Sequence, residues 1–67
     1  MATFPERLKE LRKAKGATQR AVAEFLGSKE QVYQKYEYGM RRPNYETTIK
    51  LADFFEVTVD YLLGRDM

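Results

Sequence analysis

TQRAVAEFLGSKEQVYQKYEYG, residues 18 to 39, joins two helix-forming stretches through one glycine and leaves almost nothing between them. Thr18 is placed to cap a helix whose inner stripe is Val22, Phe25 and Leu26, and Gly27 to end it. Ser28 follows at once and is expected to open the next helix, with Gln31 at the reciprocal position of a capping box. So short a connection forces the two axes to cross steeply, the geometry of a helix-turn-helix over about residues 18–38. Ala23, one turn before the glycine, is small enough to let the following helix approach closely. An ordinary αα-corner of a helical bundle has the same spacing, so the turn alone does not choose between the two.

The second of these stretches, KEQVYQKYEYG (residues 29–39), carries two lysines and two glutamates and three of the chain's five tyrosines. At about 100° per residue, Tyr33, Tyr36 and Glu37 share one side, and Gln31, Gln34, Lys35 and Tyr38 share the other, with Val32 at the edge. The two tyrosines are therefore expected in the core, where their hydroxyls need partners or a route to solvent. A glutamate on the same inner side needs a cation, and Arg12 is the candidate. The outer side suits the reading of base edges: glutamine bonds adenine bidentately, lysine donates to guanine, and a valine methyl packs on that of thymine. Glu30, in the first turn, is suited to accept from cytosine N4. Lys29 and Gln34, flanking this set, are assigned to the phosphate backbone. Neutrality is no objection to such a reader, because neighbouring elements can hold the phosphates while base contacts carry specificity.

Outside this unit the pattern stays helical. Thr3 and Glu6 have capping-box spacing ahead of Phe4, Leu8 and Leu11, and Gly16 is placed to end that first helix. After a basic loop, GMRRP, Asn44 is placed to cap a fourth helix with Ile49, Ala52 and Phe55 inward and Leu51 and Phe54 nearby. Thr58 starts a short fifth helix, VDYLL, stopped by Gly64. Val57 and Val59 alternate as in a strand, but two positions without a partner make no sheet. The expectation is an all-α, five-helix domain over residues 1–67, with Leu8, Leu11, Val22, Ala23, Leu26, Tyr33, Tyr36, Ile49, Ala52, Phe55, Val57 and Leu62 in its core.

Composition narrows the function classes. Sixty-seven residues form one small domain with a marginal core. Cysteine and histidine are both absent, which removes disulfides and thiolate or imidazole metal sites, so no cofactor is expected. No apolar run or leader suggests a membrane span or signal peptide, and a cytoplasmic location is expected. Residues 7–42 carry a net +6 and residues 43–67 a net −3, with Glu6 supplying the last negative charge of a total of +2. That asymmetry fits an anionic partner, and equally an ordinary solvated surface. Catalysis is the least expected class: Ser28 is the lone serine, with no visible base, and the carboxylate pairs Glu6/Glu10 and Asp53/Glu56 sit at helical spacing among lysines.

The ordered set RLKELRKAKG, TQRAVAEFLG, YEYGMRRP, LADFF and VDYLLG resembles helix-turn-helix regulators of the lambda-repressor/Cro type, also named for xenobiotic-response-element binding. The resemblance covers nearly the whole chain. It implies that Gln19 contacts a phosphate and braces the reader helix, and that Glu30, Gln31 and Lys35 touch bases. It implies an Arg12–Glu37 ion pair between the first and third helices, and a phosphate on the amides at the head of the fourth helix, at Asn44. It places Arg41 and Arg42 over the backbone or minor groove. Two residues depart from the family pattern. Ser28 stands where an apolar residue is usual and Lys29 where the cap is usual, so a cap at Ser28 would start the helix one residue early. Tyr33 replaces an aliphatic residue.

One helix with two or three base contacts, each discriminating by about 1–3 kcal/mol, barely reaches the roughly 4–10 kcal/mol that separates specific from nonspecific DNA. A homodimer on pseudo-palindromic double-stranded DNA is therefore expected, joined through Tyr61, Leu62, Leu63 and Met67 of the C-terminal third, with Leu62 alternatively in the core. The rival is a protein-interaction module on the same fold, an antitoxin or antirepressor, whose mark would be large exposed apolar side chains such as Tyr38 and Tyr45.

Overall fold

The computed structural model describes residues 3–65. Five helices follow one another: α1 (Phe4–Lys15), α2 (Gln19–Leu26), α3 (Glu30–Tyr38), α4 (Tyr45–Phe55) and α5 (Val59–Leu62), with no strand among the described residues. The all-α, five-helix expectation holds.

Local signals set most of the boundaries. Glu6 Oε1 accepts from the Thr3 amide at 3.0 Å and from its hydroxyl at 2.9 Å, and Thr18 Oγ1 accepts from the Ala21 amide at 3.0 Å. Asn44 Oδ1 takes the Thr47 amide at 2.8 Å, and Thr58 Oγ1 takes that of Tyr61 at 3.0 Å. The expected start of the third helix is corrected. Gly27, at φ 72°, closes α2 with paired bonds, its own amide to Glu24 O at 3.1 Å and the Ser28 amide to Ala23 O at 2.9 Å. Ser28 is thus consumed in ending α2. Lys29 occupies the cap position of α3, extended at φ −75° and ψ 150°, with no side-chain cap.

The core joins Leu8 of α1, Val22, Ala23 and Leu26 of α2, Tyr33 and Tyr36 of α3, Leu51, Ala52 and Phe55 of α4, and Leu62 of α5. Two expectations fail for the same reason. Phe25 is 51% exposed and Ile49 is only half-buried, outside the core cluster. On α4 the stripe is Thr48, Leu51, Ala52 and Phe55, spaced i, i+3, i+4, i+7, which turns Ile49 roughly 100° away. On α2 the stripe is Val22, Ala23 and Leu26, and Phe25 lies about as far round from its centre. Phe25 instead lays its ring against Phe54, centroids 4.8 Å apart. Thr48, a polar member of the stripe, is tolerated because its hydroxyl donates to Asn44 O at 2.9 Å. Leu11 and Val57 pack on the core while only partly buried.

Candidate nucleic-acid interface

The site is built on α3, nine residues long and therefore about 13 Å from end to end. With its side chains an α-helix is about 10–12 Å across, which fits a major groove about 12 Å wide. Its two faces differ in kind. Tyr33 is fully buried, Tyr36 is 5% exposed and packs edge to face on it at 6.3 Å, and Glu37 is 7% exposed. Glu30, Gln31 and Lys35 are exposed, with Val32 and Gln34 half-buried beside them. With Lys29 as the cap, Glu30 and Gln31 begin the first turn and Lys35 follows one turn later on the same face.

Beneath α3 lies a polar seam. Arg12 donates to both oxygens of Glu37, Nε to Oε2 at 2.6 Å and Nη2 to Oε1 at 3.2 Å, while its Nη1 donates to Ala17 O at 3.1 Å. The pair ties α1 to α3 as expected. Gln19, at the start of α2, donates from Nε2 to Glu37 Oε1 at 3.1 Å, which gives it the bracing role the resemblance implies. Burial alone would push the Glu37 carboxyl up, but Arg12 first, and then the Tyr33 hydroxyl and the Gln19 amide beside it, outweigh burial and hold the group below its usual range. The Tyr33 hydroxyl lies against this pair, sealed from solvent and without a hydrogen-bond partner. Burial first, and then the nearby carboxylate of Glu37, push its ionisation far above the ordinary phenol value.

Gln34 behaves differently from the role assigned to it. Its Nε2 donates to Gln19 Oε1 at 3.1 Å and to Glu30 Oε2 at 3.3 Å, which uses both N–H bonds and leaves only a carbonyl for any partner. The Glu30–Gln34 link has i, i+4 spacing and was open to sequence reasoning. The Gln19–Gln34 link, across 15 residues, was not.

The loop from Gly39 to Asn44 leaves the C-terminus of α3 through a left-handed glycine at φ 74°. Arg41 and Arg42 are exposed and engage nothing among the described residues. The Asn44 side chain caps α4 and takes the Thr47 amide, and the amides of Tyr45 and Glu46 before it have no intrahelical partner. Of the four residues expected to join two copies, Leu62 is fully buried and belongs to the core. Tyr61 is half-buried, its ring 4.3 Å beneath the Arg7 guanidinium and its carbonyl bonded to Arg7 at 3.0 Å. Leu63 is 47% exposed, and Met67 lies outside the described residues. No group of three or more acidic side chains among the described residues is placed to hold a metal ion.

Two helices joined by a three-residue turn, the second with one polar face left exposed, define a class, and the comparisons identify it. A helix-turn-helix family model matches residues 8–62, and the chain belongs to that family, of the lambda-repressor/Cro type. It is 45% identical over 60 residues to the SPbeta prophage-derived uncharacterized HTH-type transcriptional regulator YonR of Bacillus subtilis, covering 90% of this chain and 56% of that one. It is 46% identical over 61 residues to the HTH-type transcriptional regulator AnsR of the same organism, covering 91% and 53%. Among solved structures it is similar to the P22 c2 repressor in complex with a synthetic operator, with a TM-score of 0.91 at 26% identity, covering 98% of this chain and 100% of that one. The chain spans about half the length of the curated relatives it matches. Its relatives are transcriptional regulators, in agreement with the expectation that it is not an enzyme. No helix among the described residues is long and apolar enough to cross a membrane.

Proposed function

We propose that this chain binds double-stranded DNA sequence-specifically and regulates transcription, with α3 in the major groove. One observation carries the reading. α3 seals its aromatic face inside and leaves Glu30, Gln31 and Lys35 exposed, with Val32 at the margin. A groove partner can reach these side chains without any unfolding. A 26%-identical repressor of the same shape, solved with an operator, supports the docking mode. In it Gln31 and Lys35 read purine edges, Glu30 accepts from an exocyclic amine, and Val32 meets a thymine methyl. Lys29, Arg41, Arg42, the free N–H of Gln19 and the amides at the head of α4 by Asn44 hold phosphates.

Two copies related by a two-fold axis would read half-sites about one helical turn apart. The C-terminal third supplies the contact in this reading, through Leu63. That side chain lines a groove of about 570 Å³ together with Arg41, Arg42 and Pro43, so dimer contact and phosphate grip lie side by side. The test is selection of bound duplexes from a random pool. A recovered palindrome supports sequence reading and dimeric docking together, and failure to retain any duplex at low ionic strength ends the proposal.

The interaction-module reading has its own observation: Tyr38, Met40 and Tyr45 are 62%, 72% and 78% exposed. Such side chains mark partner surfaces when they cluster. If that reading holds, replacing Tyr38 and Tyr45 abolishes function, and replacing Gln31 and Lys35 does not.

A further inference from the structure

We infer that Gln34 is a positioning residue, not a phosphate contact: it transmits the orientation of the buried Arg12–Glu37 pair to Glu30 and so sets which base α3 prefers at one base pair. The inference rests on the DNA reading above.

The chain of hydrogen bonds has one permitted polarity. Glu37 is an ionised carboxylate and can only accept, so Gln19 must turn its Nε2 toward it, as it does at 3.1 Å. That leaves the carbonyl of Gln19 as the group turned toward Gln34. Gln34 must answer with its amino group, at 3.1 Å, and the second N–H of that group falls to Glu30 Oε2 at 3.3 Å. Reversing any one amide sets two oxygens against each other. The ion pair, inside the molecule, therefore dictates the direction of a group at its surface.

Two consequences follow at the outer end. Gln34 faces a partner with its carbonyl, and Glu30 with the oxygen that Gln34 does not hold. Both are acceptors. A phosphate offers no proton, so this corner of α3 repels the backbone. In the major groove the donors are the exocyclic amines, N4 of cytosine and N6 of adenine. Every base pair carries one such amine, on one strand or the other. What a fixed acceptor selects is the strand, giving cytosine or adenine over guanine or thymine on the contacted side. Without Gln34, the Glu30 carboxylate is free to rotate, and the discrimination weakens while the other contacts persist.

The test compares duplexes selected by the wild-type chain, by Glu30→Gln and by Gln34→Leu, with salt-dependent affinity and thermal melting measured on each. Glu30→Gln locates the base pair by losing its preference. Gln34→Leu is expected to weaken the preference at that same pair about tenfold, with other positions selected as before and the wild-type salt slope retained. An unchanged preference at that pair in Gln34→Leu overturns the inference. So does a salt slope shallower by about one unit, the mark of a lost phosphate contact. If Gln34→Leu melts too low to assay, Gln34→Glu is read instead. It keeps the side chain's length but sets an acceptor against Glu30 and Gln19, and the same loss at the same pair is expected. A wild-type chain that selects no duplex removes the DNA reading, and this inference with it.

Discussion

The two faces of α3 use similar chemistry for opposite ends. On each face a glutamate of α3 meets a glutamine, Glu37 with Gln19 of α2 inside and Glu30 with Gln34 of α3 outside. The inner carboxylate is locked by a guanidinium and an amide and lies almost out of solvent, so it serves rigidity. The outer one keeps an oxygen free for a partner, as the recognition role proposed above requires. Residue type does not separate the two roles. Burial and the number of remaining lone pairs do.

That contrast is broken most severely from the inside. Tyr33→Ala removes the largest fully buried side chain and is expected to cost about 4 kcal/mol. A domain of this size has only about 3–10 kcal/mol in total, so a large part of its stability is lost and the melting temperature should fall by roughly 15–30 °C, which circular dichroism will show. Arg12→Ala comes next. It leaves Glu37 buried with only the Gln19 amide, and about 3 kcal/mol is expected, the low end for a broken buried pair because Arg12 keeps 14% of its side chain exposed.

The same pair sets an acid limit. Glu37 has a lower pKa folded than unfolded, so its contribution is complete above the unfolded carboxylate value of about 4.3 and is lost as pH falls through the folded value. Melting temperature should drop as the pH goes below about 4.3, and Glu37→Gln should flatten that fall. Glu6, whose pKa is lowered by hydrogen bonds from Thr3, contributes with the same sign and will remain in the variant.

The outer face gives the smallest effects on folding and the clearest on binding. Lys35→Ala should leave the melting temperature within about 3 °C and weaken affinity for a selected duplex about tenfold. Unfolding of the Lys35 variant alongside an intact Tyr33 variant would mean the faces are exchanged. Arg42→Ala should lower the salt slope of binding by about one unit. The finest probe is Tyr33→Phe. Its hydroxyl is buried without a partner, so its removal should be neutral or stabilising by up to about 1 kcal/mol, against the usual direction of core substitutions.

How far the sequence reached depends on the range of each interaction. Caps at Thr3, Thr18, Asn44 and Thr58 were legible because each is a contact across three residues. The inward turn of Tyr33, Tyr36 and Glu37 followed from helical period, and the partner of Glu37 from the need of a buried carboxylate for a cation. Ser28 misled because serine opens helices well, whereas here its amide had already been claimed by Ala23 O at the end of α2.

The sequence by itself therefore determined the five helices, the turn between α2 and α3, and which side of α3 faces the core, since periodicity and capping are written in neighbouring residues. Only the tertiary structure decided between overlapping apolar arcs, which leaves Phe25 outside and takes Thr48 and Leu51 in. It alone set the direction of the Gln19 and Gln34 amides. A helix wheel ranks faces, but a long side chain settles against whatever the adjoining helix presents, and that surface exists only once the chain has packed.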